Sequence, residues 1–146
     1  MRYLDTSLLV PLFIREPISA EVGAWLADIG PAELAVSDWG LTEFSSAASI
    51  KTRTRQIDDA MRARVQTDFR EFVHSRVRRV LPVLSADFHQ AAEFCDRWEI
   101  GLRAGDALHL AVAARCGLTV CSLDRTMLEA ARVVGVAVES VGGRPR

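Results

Sequence analysis

Apolar residues along this chain follow two patterns that alternate from one end to the other. Short apolar runs predict buried strands at 1–5, 34–36, 80–83, 118–121 and 136–138. Between them, apolar residues recur every three or four positions, which predicts helices, including a long one over about 55–78. Strands that alternate with helices run parallel through right-handed crossovers, so the pattern predicts a helix-flanked parallel sheet, an α/β fold with three layers in the order α/β/α.

Boundary signals add detail to these elements. Pro17 is predicted in the first turn of the second helix, and Gly117 is predicted to end a helix that begins near Asp106. The tryptophans share helical spacing with other apolar residues, which predicts that all three lie in the core: Trp25, Trp39 and Trp98.

Length and composition suit one well-cored domain, with 146 residues of which 49% are hydrophobic. We expect a single domain over 1–141 and a short flexible tail over 142–146. No apolar run approaches the roughly 18 residues of a membrane span, and Asp5 interrupts what would be the apolar region of a signal peptide. We therefore expect a cytoplasmic protein without a membrane partner, in which the three cysteines are reduced core residues.

The net charge of −1 conceals an uneven distribution. The segment from Lys51 to Arg79 carries nine basic and four acidic residues, and 17 of the 18 basic residues of the chain are arginines. Arginine suits phosphate contacts and stacks on bases, so this segment is a candidate for binding RNA. A solvated helix face explains it equally well.

Four acidic residues lie where folding alone does not favour an acid. Asp5 and Asp124 follow predicted strands, and the carboxyl ends of parallel strands form the ligand crevice of an open α/β sheet. Glu43 and Asp106 lie on the apolar stripes of two predicted helices. An unpaired buried carboxylate costs several kcal/mol, so this group of acids predicts a bound cation.

Carboxylates without neighbouring His or Cys ligands select hard cations, which favours Mg²⁺ or Mn²⁺. We expect Asp5, Asp106 and Asp124 to hold the metal, while Glu43 is a ligand, an anchor for a ligand, or the group that orients an attacking water. Such a site predicts metal-assisted hydrolysis of phosphodiesters.

Hydroxyl groups flank two of these aspartates. Thr6, Ser7 and Ser122 could hold a metal-bound water or a scissile phosphate, although helix capping accounts for Thr6 and Ser7 as well. His109, one turn beyond Asp106, is interpreted as a core residue or a support for a ligand.

Four segments around these acids resemble the motifs of PIN-domain nucleases, and most closely those of VapC toxins from toxin–antitoxin modules. They occur in the family's order and span nearly the whole chain: Tyr3-Leu4-Asp5-Thr6-Ser7, residues 37–43 (SDWGLTE), residues 102–111 (LRAGDALHLA) and residues 121–125 (CSLDR). The resemblance places the family's acidic positions at Asp5, Glu43, Asp106 and Asp124, and its hydroxyl at Ser122. It implies a Mg²⁺- or Mn²⁺-dependent endoribonuclease, commonly a homodimer, which is silenced by a cognate antitoxin.

Other protein classes also place acids at a sheet edge. A haloacid-dehalogenase-like phosphatase needs an aspartate where this chain has Ser7, and a receiver domain needs a late lysine, whereas the only lysine is Lys51. A catalytically idle binding module would not need to keep four acids in inward positions. A PIN nuclease that acts on DNA or in rRNA processing stays open as the alternative, because the metal chemistry is the same.

Overall fold

The computed structural model describes residues 1–141, and its centre is a five-stranded parallel sheet. The strands are β1 (Arg2–Leu4), β2 (Leu34–Ser37), β3 (Arg79–Leu81), β4 (Thr119–Ser122) and β5 (Val138–Ser140). Their spatial order is β3-β2-β1-β4-β5, and every neighbouring pair is parallel. The chain builds outward from β1 to β3 and then returns to the other side of β1, so the strand order reverses between β1 and β4. This reversal is where open α/β sheets form a crevice at their carboxyl edge.

Within residues 1–141, seven helices connect the strands and cover both faces of the sheet. They are α1 (Thr6–Phe13), α2 (Ser19–Ala27), α3 (Asp38–Arg53), α4 (Asp59–Arg76), α5 (Ser85–Asp96), α6 (Ala104–Cys116) and α7 (Arg125–Val133). Two 3₁₀ turns span Pro31–Glu33 and Trp98–Ile100. No helix in the described part of the chain combines the length and apolar character that crossing a bilayer requires.

The core has two halves because side chains alternate between the two faces of a strand. Tyr3 and Val120 point toward the half that α5, α6 and α7 complete. Leu4 and Cys121, the next residues along the same strands, point toward the half formed with α1 to α4. Three layers result, and the predicted fold class is confirmed.

A buried ion pair joins α5 to α6. Asp87 is 1% exposed, and its two carboxylate oxygens accept hydrogen bonds from Nε and Nη2 of Arg115 at 2.7 and 3.0 Å. Arg115 Nη2 also donates to the carbonyl of Pro82, and the amide of Leu84 donates to Asp87. The charge of Asp87 is thus fully matched by a planar cation.

Several local predictions differ from the structure. Trp98 is 85% exposed, because α5 ends at Asp96 and Arg97 leaves the helical conformation, which breaks the periodicity that placed Trp98 in the core. Pro17 precedes α2, and α6 begins at Ala104 instead of Asp106. The last strand begins at Val138, because the amide of Val136 bonds to the carbonyl of Ala131 and closes α7.

The inward stripe predicted around Glu43 holds for only part of α3. Ile50, two turns beyond Glu43, is 46% exposed. A helix of 16 residues is about 24 Å long, whereas a strand of four residues spans about 13 Å, so the end of α3 extends beyond the sheet it covers. The tail predicted at 142–146 lies outside the described residues.

Candidate active site

Two of the four predicted acids are fixed by the ends of adjacent strands. Asp5 follows β1 and Asp124 follows β4, on either side of the strand-order reversal. Each also caps a helix: Asp5 Oδ1 accepts the amide of Leu8 at 3.3 Å, and Asp124 Oδ1 accepts the amide of Met127 at 3.0 Å. The capping roles therefore coexist with the position at the carboxyl edge.

Two serines surround the carboxylate of Asp5, which is 4% exposed. Ser7 Oγ donates to Oδ1 at 2.7 Å, and Ser122 Oγ donates to Oδ2 at 2.9 Å. The serines in turn accept hydrogen bonds from the backbone amides of Leu123 and Asp124, both at 2.9 Å. Ser7 and Ser122 therefore use their protons to orient Asp5, and they tie the end of β1 to the end of β4.

Asp5 has no cationic partner among the described residues, although it is nearly fully buried. Burial raises the pKa of Asp5, and the nearby imidazole of His109, together with the hydrogen bonds from Ser7, Ser122 and the Leu8 amide, offsets only part of that effect. Asp5 is thus a buried carboxylate held by hydroxyl and amide donors, and it forms no ion pair with any described residue.

Asp106 lies in the first turn of α6 and is half-buried. Burial raises its pKa, and the negative charges of Asp124, Glu43 and Asp5 raise it further. The other three predicted acids are therefore close enough to Asp106 to act on its carboxyl group, and they make its ionisation harder.

Glu43 differs from the three aspartates in its partners. His109 Nε2 lies 2.6 Å from Glu43 Oε2, and Thr6 Oγ1 donates to the same oxygen at 2.8 Å. Burial acts to raise the pKa of Glu43, but the hydrogen bonds from His109 and Thr6 outweigh it, so the pKa is lowered. The structure places Thr6 against Glu43, and Asp5, not Thr6, is the residue that caps α1.

Some residues of this site were not predicted from the sequence. Tyr3 and Ser37 lie behind His109 in a buried hydrogen-bonded chain, and Gly105 allows Glu43 to approach α6. Two signals were present: a tyrosine inside a short buried strand needs a partner for its hydroxyl, and glycine is unfavourable within the first turn of a helix.

The oxygen-only donor set fits a hard divalent cation. Within residues 1–141, no group of three or more Asp, Glu, His or Cys side chains is arranged so that it could hold a metal ion. Mg²⁺ does not require such a group, because it keeps several waters and binds through one or two carboxylates. The buried charge of Asp5 and the mutual repulsion felt by Asp106 are what such a cation would relieve.

These features define an α/β protein with an acidic site at the carboxyl edge of a parallel sheet. A family model described as "PIN domain" matches residues 2–133, and the chain belongs to the PIN domain family. The resemblance to PIN-domain nucleases drawn from the motifs is thereby confirmed. No curated protein sequence matches the chain.

Solved structures show the same fold at low sequence identity. FitAcB from Neisseria gonorrhoeae is 20% identical over 94% of this chain and 96% of that chain, with a TM-score of 0.70. VapC20 from Mycobacterium tuberculosis, a sarcin-ricin loop cleaving toxin, is 20% identical. The match covers 94% of this chain and 97% of VapC20, with a TM-score of 0.70. A toxin–antitoxin complex from Klebsiella pneumoniae contains a chain that is 18% identical. The match covers 85% of this chain and 87% of that chain, with a TM-score of 0.61.

Proposed function

We propose that this protein is a Mg²⁺- or Mn²⁺-dependent endoribonuclease, the toxin of a toxin–antitoxin module that acts in the cytosol. The observation that carries the proposal is the environment of Asp5, a buried carboxylate that forms no ion pair with any described residue. It acts on a second aspartate, Asp106, whose pKa is raised by burial and by the other three acids. Membership of the PIN domain family and the likeness in fold to a sarcin-ricin loop cleaving toxin support the proposal.

Each acid has a proposed role. Asp5, Asp106 and Asp124 would hold the divalent cation, which supplies a water of lowered pKa and neutralises charge on the phosphodiester. Ser7 and Ser122 keep the carboxylate of Asp5 in one orientation, and Asp124 is held by its capping bond to Met127. Glu43 is proposed to orient the attacking water, because its pKa is lowered and it stays ionised beside the aspartates.

RNA is the proposed substrate, and part of the basic segment is proposed to bind it. Lys51 is engaged with Glu16 at 2.7 Å, and Arg79 begins β3 opposite Ala35, at the amino end of the strands and away from the acids. Arg53 and Arg55, at the end of α3, are exposed. Reversing both to glutamate should weaken RNA affinity and reduce its salt dependence, by about 0.7 in slope for each lost contact on a single strand.

A matched control for that experiment is available within the same basic segment. Replacing Arg78 and Arg79 by glutamate changes the net charge equally, but at the start of β3 instead of the end of α3. The slope should then stay near that of the wild type. Equal effects of the two pairs would assign RNA binding to overall charge and not to the end of α3.

A cognate antitoxin and a second copy of this chain are the proposed protein partners, as the family resemblance implies. Sedimentation analysis of the purified protein tests the homodimer. Growth arrest on expression, relieved by co-expression of a candidate antitoxin, tests the antitoxin.

The proposed chemistry is tested by incubating the purified protein with a randomised single-stranded RNA pool and a DNA pool of matched sequence. We expect cleavage of RNA that stops in excess chelator and returns with Mg²⁺ or Mn²⁺, while Ca²⁺ supports binding with little turnover. Asp106→Asn should abolish the cleavage of RNA. Asp96→Asn, the same change at an exposed helix end, should leave cleavage unchanged.

Undiminished cleavage in chelator would remove the metal from the mechanism. Preferential cleavage of the DNA pool would instead support the alternative, a PIN nuclease that acts on DNA. Mapping of RNA 5′ ends after brief expression in cells would identify the RNA and distinguish a toxin from an rRNA-processing enzyme.

A further inference from the structure

A chain of buried hydrogen bonds leads from the start of α3 to Glu43. The amide of Gly40 donates to Ser37 Oγ at 3.2 Å, and Ser37 Oγ lies 2.6 Å from the hydroxyl of Tyr3. The same hydroxyl lies 2.6 Å from Nδ1 of His109, whose Nε2 lies 2.6 Å from Glu43 Oε2. Tyr3, Ser37 and His109 are each at most 1% exposed.

Only one arrangement of protons satisfies every member of this chain. An ionised Glu43 only accepts, so His109 Nε2 carries a proton and donates it. If His109 is neutral, Nδ1 accepts from the hydroxyl of Tyr3, and Tyr3 accepts from Ser37, whose oxygen accepts from the Gly40 amide. A doubly protonated ring would reverse Tyr3 and leave the proton of buried Ser37 without an acceptor. The bonds therefore all point toward Glu43, and bonds aligned in this way strengthen one another.

The other oxygen of Glu43 is positioned by a close approach to α6. A Cβ added to Gly105 would lie 2.7 Å from Glu43 Oε1 and 3.5 Å from the indole ring of Trp39. Because Oε2 receives both His109 and Thr6, Oε1 is the oxygen that lies beside Gly105, the residue that precedes Asp106. The side chain of Glu43 is thus held at one oxygen, while the second faces the first turn of α6.

We propose that His109, with its ring oriented by Tyr3, is a positioning residue that holds Oε2 of Glu43 so that Oε1 is presented to the reaction. The inference rests on the proposed nuclease function for its effect on rate. Its structural part, the proton on Nε2 and the hydroxyl of Tyr3 on Nδ1, stands independently of any activity. Sequence position alone would make His109 an ordinary core histidine.

The structural part is tested by NMR of the imidazole nitrogens in the purified full chain. The chain has three histidines, and the other two, His74 and His89, are exposed. We expect one slowly exchanging imidazole proton, located on Nε2 of His109, and a change in the Nδ1 shift of that ring in Tyr3→Phe. A proton on Nδ1 in place of Nε2, or an Nδ1 shift that ignores Tyr3→Phe, would overturn the proposal.

The effect on rate is tested with one RNA oligonucleotide of fixed sequence that the wild type cleaves. His109→Leu removes the donor at similar volume, and we expect kcat to fall by about tenfold to hundredfold with little change in KM, as for a misplaced catalytic group. His109→Gln can place an amide N–H near the position of Nε2, so it should recover most of the loss. A purely structural role would lower the amount of folded enzyme for both variants without this rescue.

Tyr3→Phe keeps the aromatic ring in the core and provides a second variant should His109→Leu fail to fold. We expect it to lower kcat, by less than His109→Leu does, with KM unchanged. A wild-type kcat in folded His109→Leu would overturn the positioning role. If His109→Leu does not fold, a wild-type kcat in Tyr3→Phe would overturn it. Neither result would contradict the proposed nuclease function. If the wild type cleaves no RNA, the proposed function fails, and the NMR result still decides whether His109 holds Glu43.

Discussion

Asp5 and Asp87 are both buried carboxylates, yet the protein treats them in opposite ways. Their exposed fractions are 4% and 1%, and each accepts a backbone amide. Asp87 also faces the guanidinium of Arg115 through two hydrogen bonds, and the bond to Asp87 raises the pKa of Arg115. Asp5 accepts hydrogen bonds from two hydroxyls, and its negative charge contributes to raising the pKa of Asp106, another acid.

The difference shows what separates a structural carboxylate from a candidate functional one. Burial alone does not distinguish the two kinds of carboxylate, because Asp87 is more buried than Asp5. Asp87, the carboxylate that joins α5 to α6, is matched by an arginine within the fold, whereas Asp5 pairs with no described arginine or lysine and is proposed to bind a divalent cation. The following experiments test this contrast, from the largest expected effect to the smallest.

Asp5→Asn should have the largest effect, and it should act on cleavage. The amide keeps the shape of the side chain but removes the charge that would bind a divalent cation, so we expect RNA cleavage to fall by at least about 100-fold. The metal-free protein should fold as well as the wild type, because repulsion with Asp106 is relieved. Cleavage assays and circular dichroism check both parts, and wild-type rates would remove Asp5 from the mechanism.

Asp87→Asn should act on stability instead. It leaves the guanidinium of Arg115 with a neutral partner at a site that is partly buried, so we expect a loss of about 2 kcal/mol in the free energy of unfolding. Urea denaturation measures the loss, and the cleavage rate per folded molecule should stay near that of the wild type. A selective loss of cleavage without loss of stability would reverse the roles assigned to the two aspartates.

The pH dependence of stability should carry the signature of Asp5 and Asp106. Their pKa values are raised, so above the ordinary aspartate value of about 3.9 the folded protein binds more protons than the unfolded chain does. These two groups therefore make the protein more stable as the pH falls from 7 toward about 5. Glu43, whose pKa is lowered, has the opposite sign, and its contribution is lost only as the pH falls through that lowered value.

Urea denaturation in chelator at pH 7, 6 and 5 measures this dependence. The gain in stability at lower pH should be smaller in Asp5→Asn than in the wild type, and unchanged in the exposed control Asp96→Asn. The same gain in all three proteins would contradict the raised pKa of Asp5.

Ser122→Ala should have the smallest effect. It removes one of the two hydroxyls that orient Asp5 and the acceptor of the Asp124 amide, which corresponds to about 1 kcal/mol for one buried hydrogen bond. We expect cleavage to fall by about tenfold, less than in Asp5→Asn. A loss as large as that of Asp5→Asn would indicate that the hydroxyl itself contacts the substrate.

Much of this contrast could be predicted from the sequence, and the reasons are local. Asp5 and Asp124 follow apolar runs that form strands, and the α/β alternation brings those strands to one edge. The hydroxyls of Thr6, Ser7 and Ser122 were also identified, but their partners were not, because a partner depends on distances across the sheet.

What was missed depended on contacts between distant segments. Asp87 resembled an ordinary residue in the first turn of a helix until the fold placed Arg115 against it. Gly105 gave only a weak signal until Glu43 was found beside it, and Tyr3 looked like a simple core aromatic. Trp98 was misplaced because periodicity does not show where a helix ends when the C-terminal signal is absent.

The central claim, that Asp5 forms no ion pair with any described residue because it binds a divalent cation, is tested most directly by Mn²⁺ binding. The electron paramagnetic resonance signal of free Mn²⁺, measured against added protein, gives the bound fraction without any need for a substrate. We predict that the wild type and Asp87→Asn bind Mn²⁺ alike and that Asp5→Asn binds it at least about tenfold more weakly. Equal binding by Asp5→Asn and the wild type, or no binding by the wild type, would contradict the account.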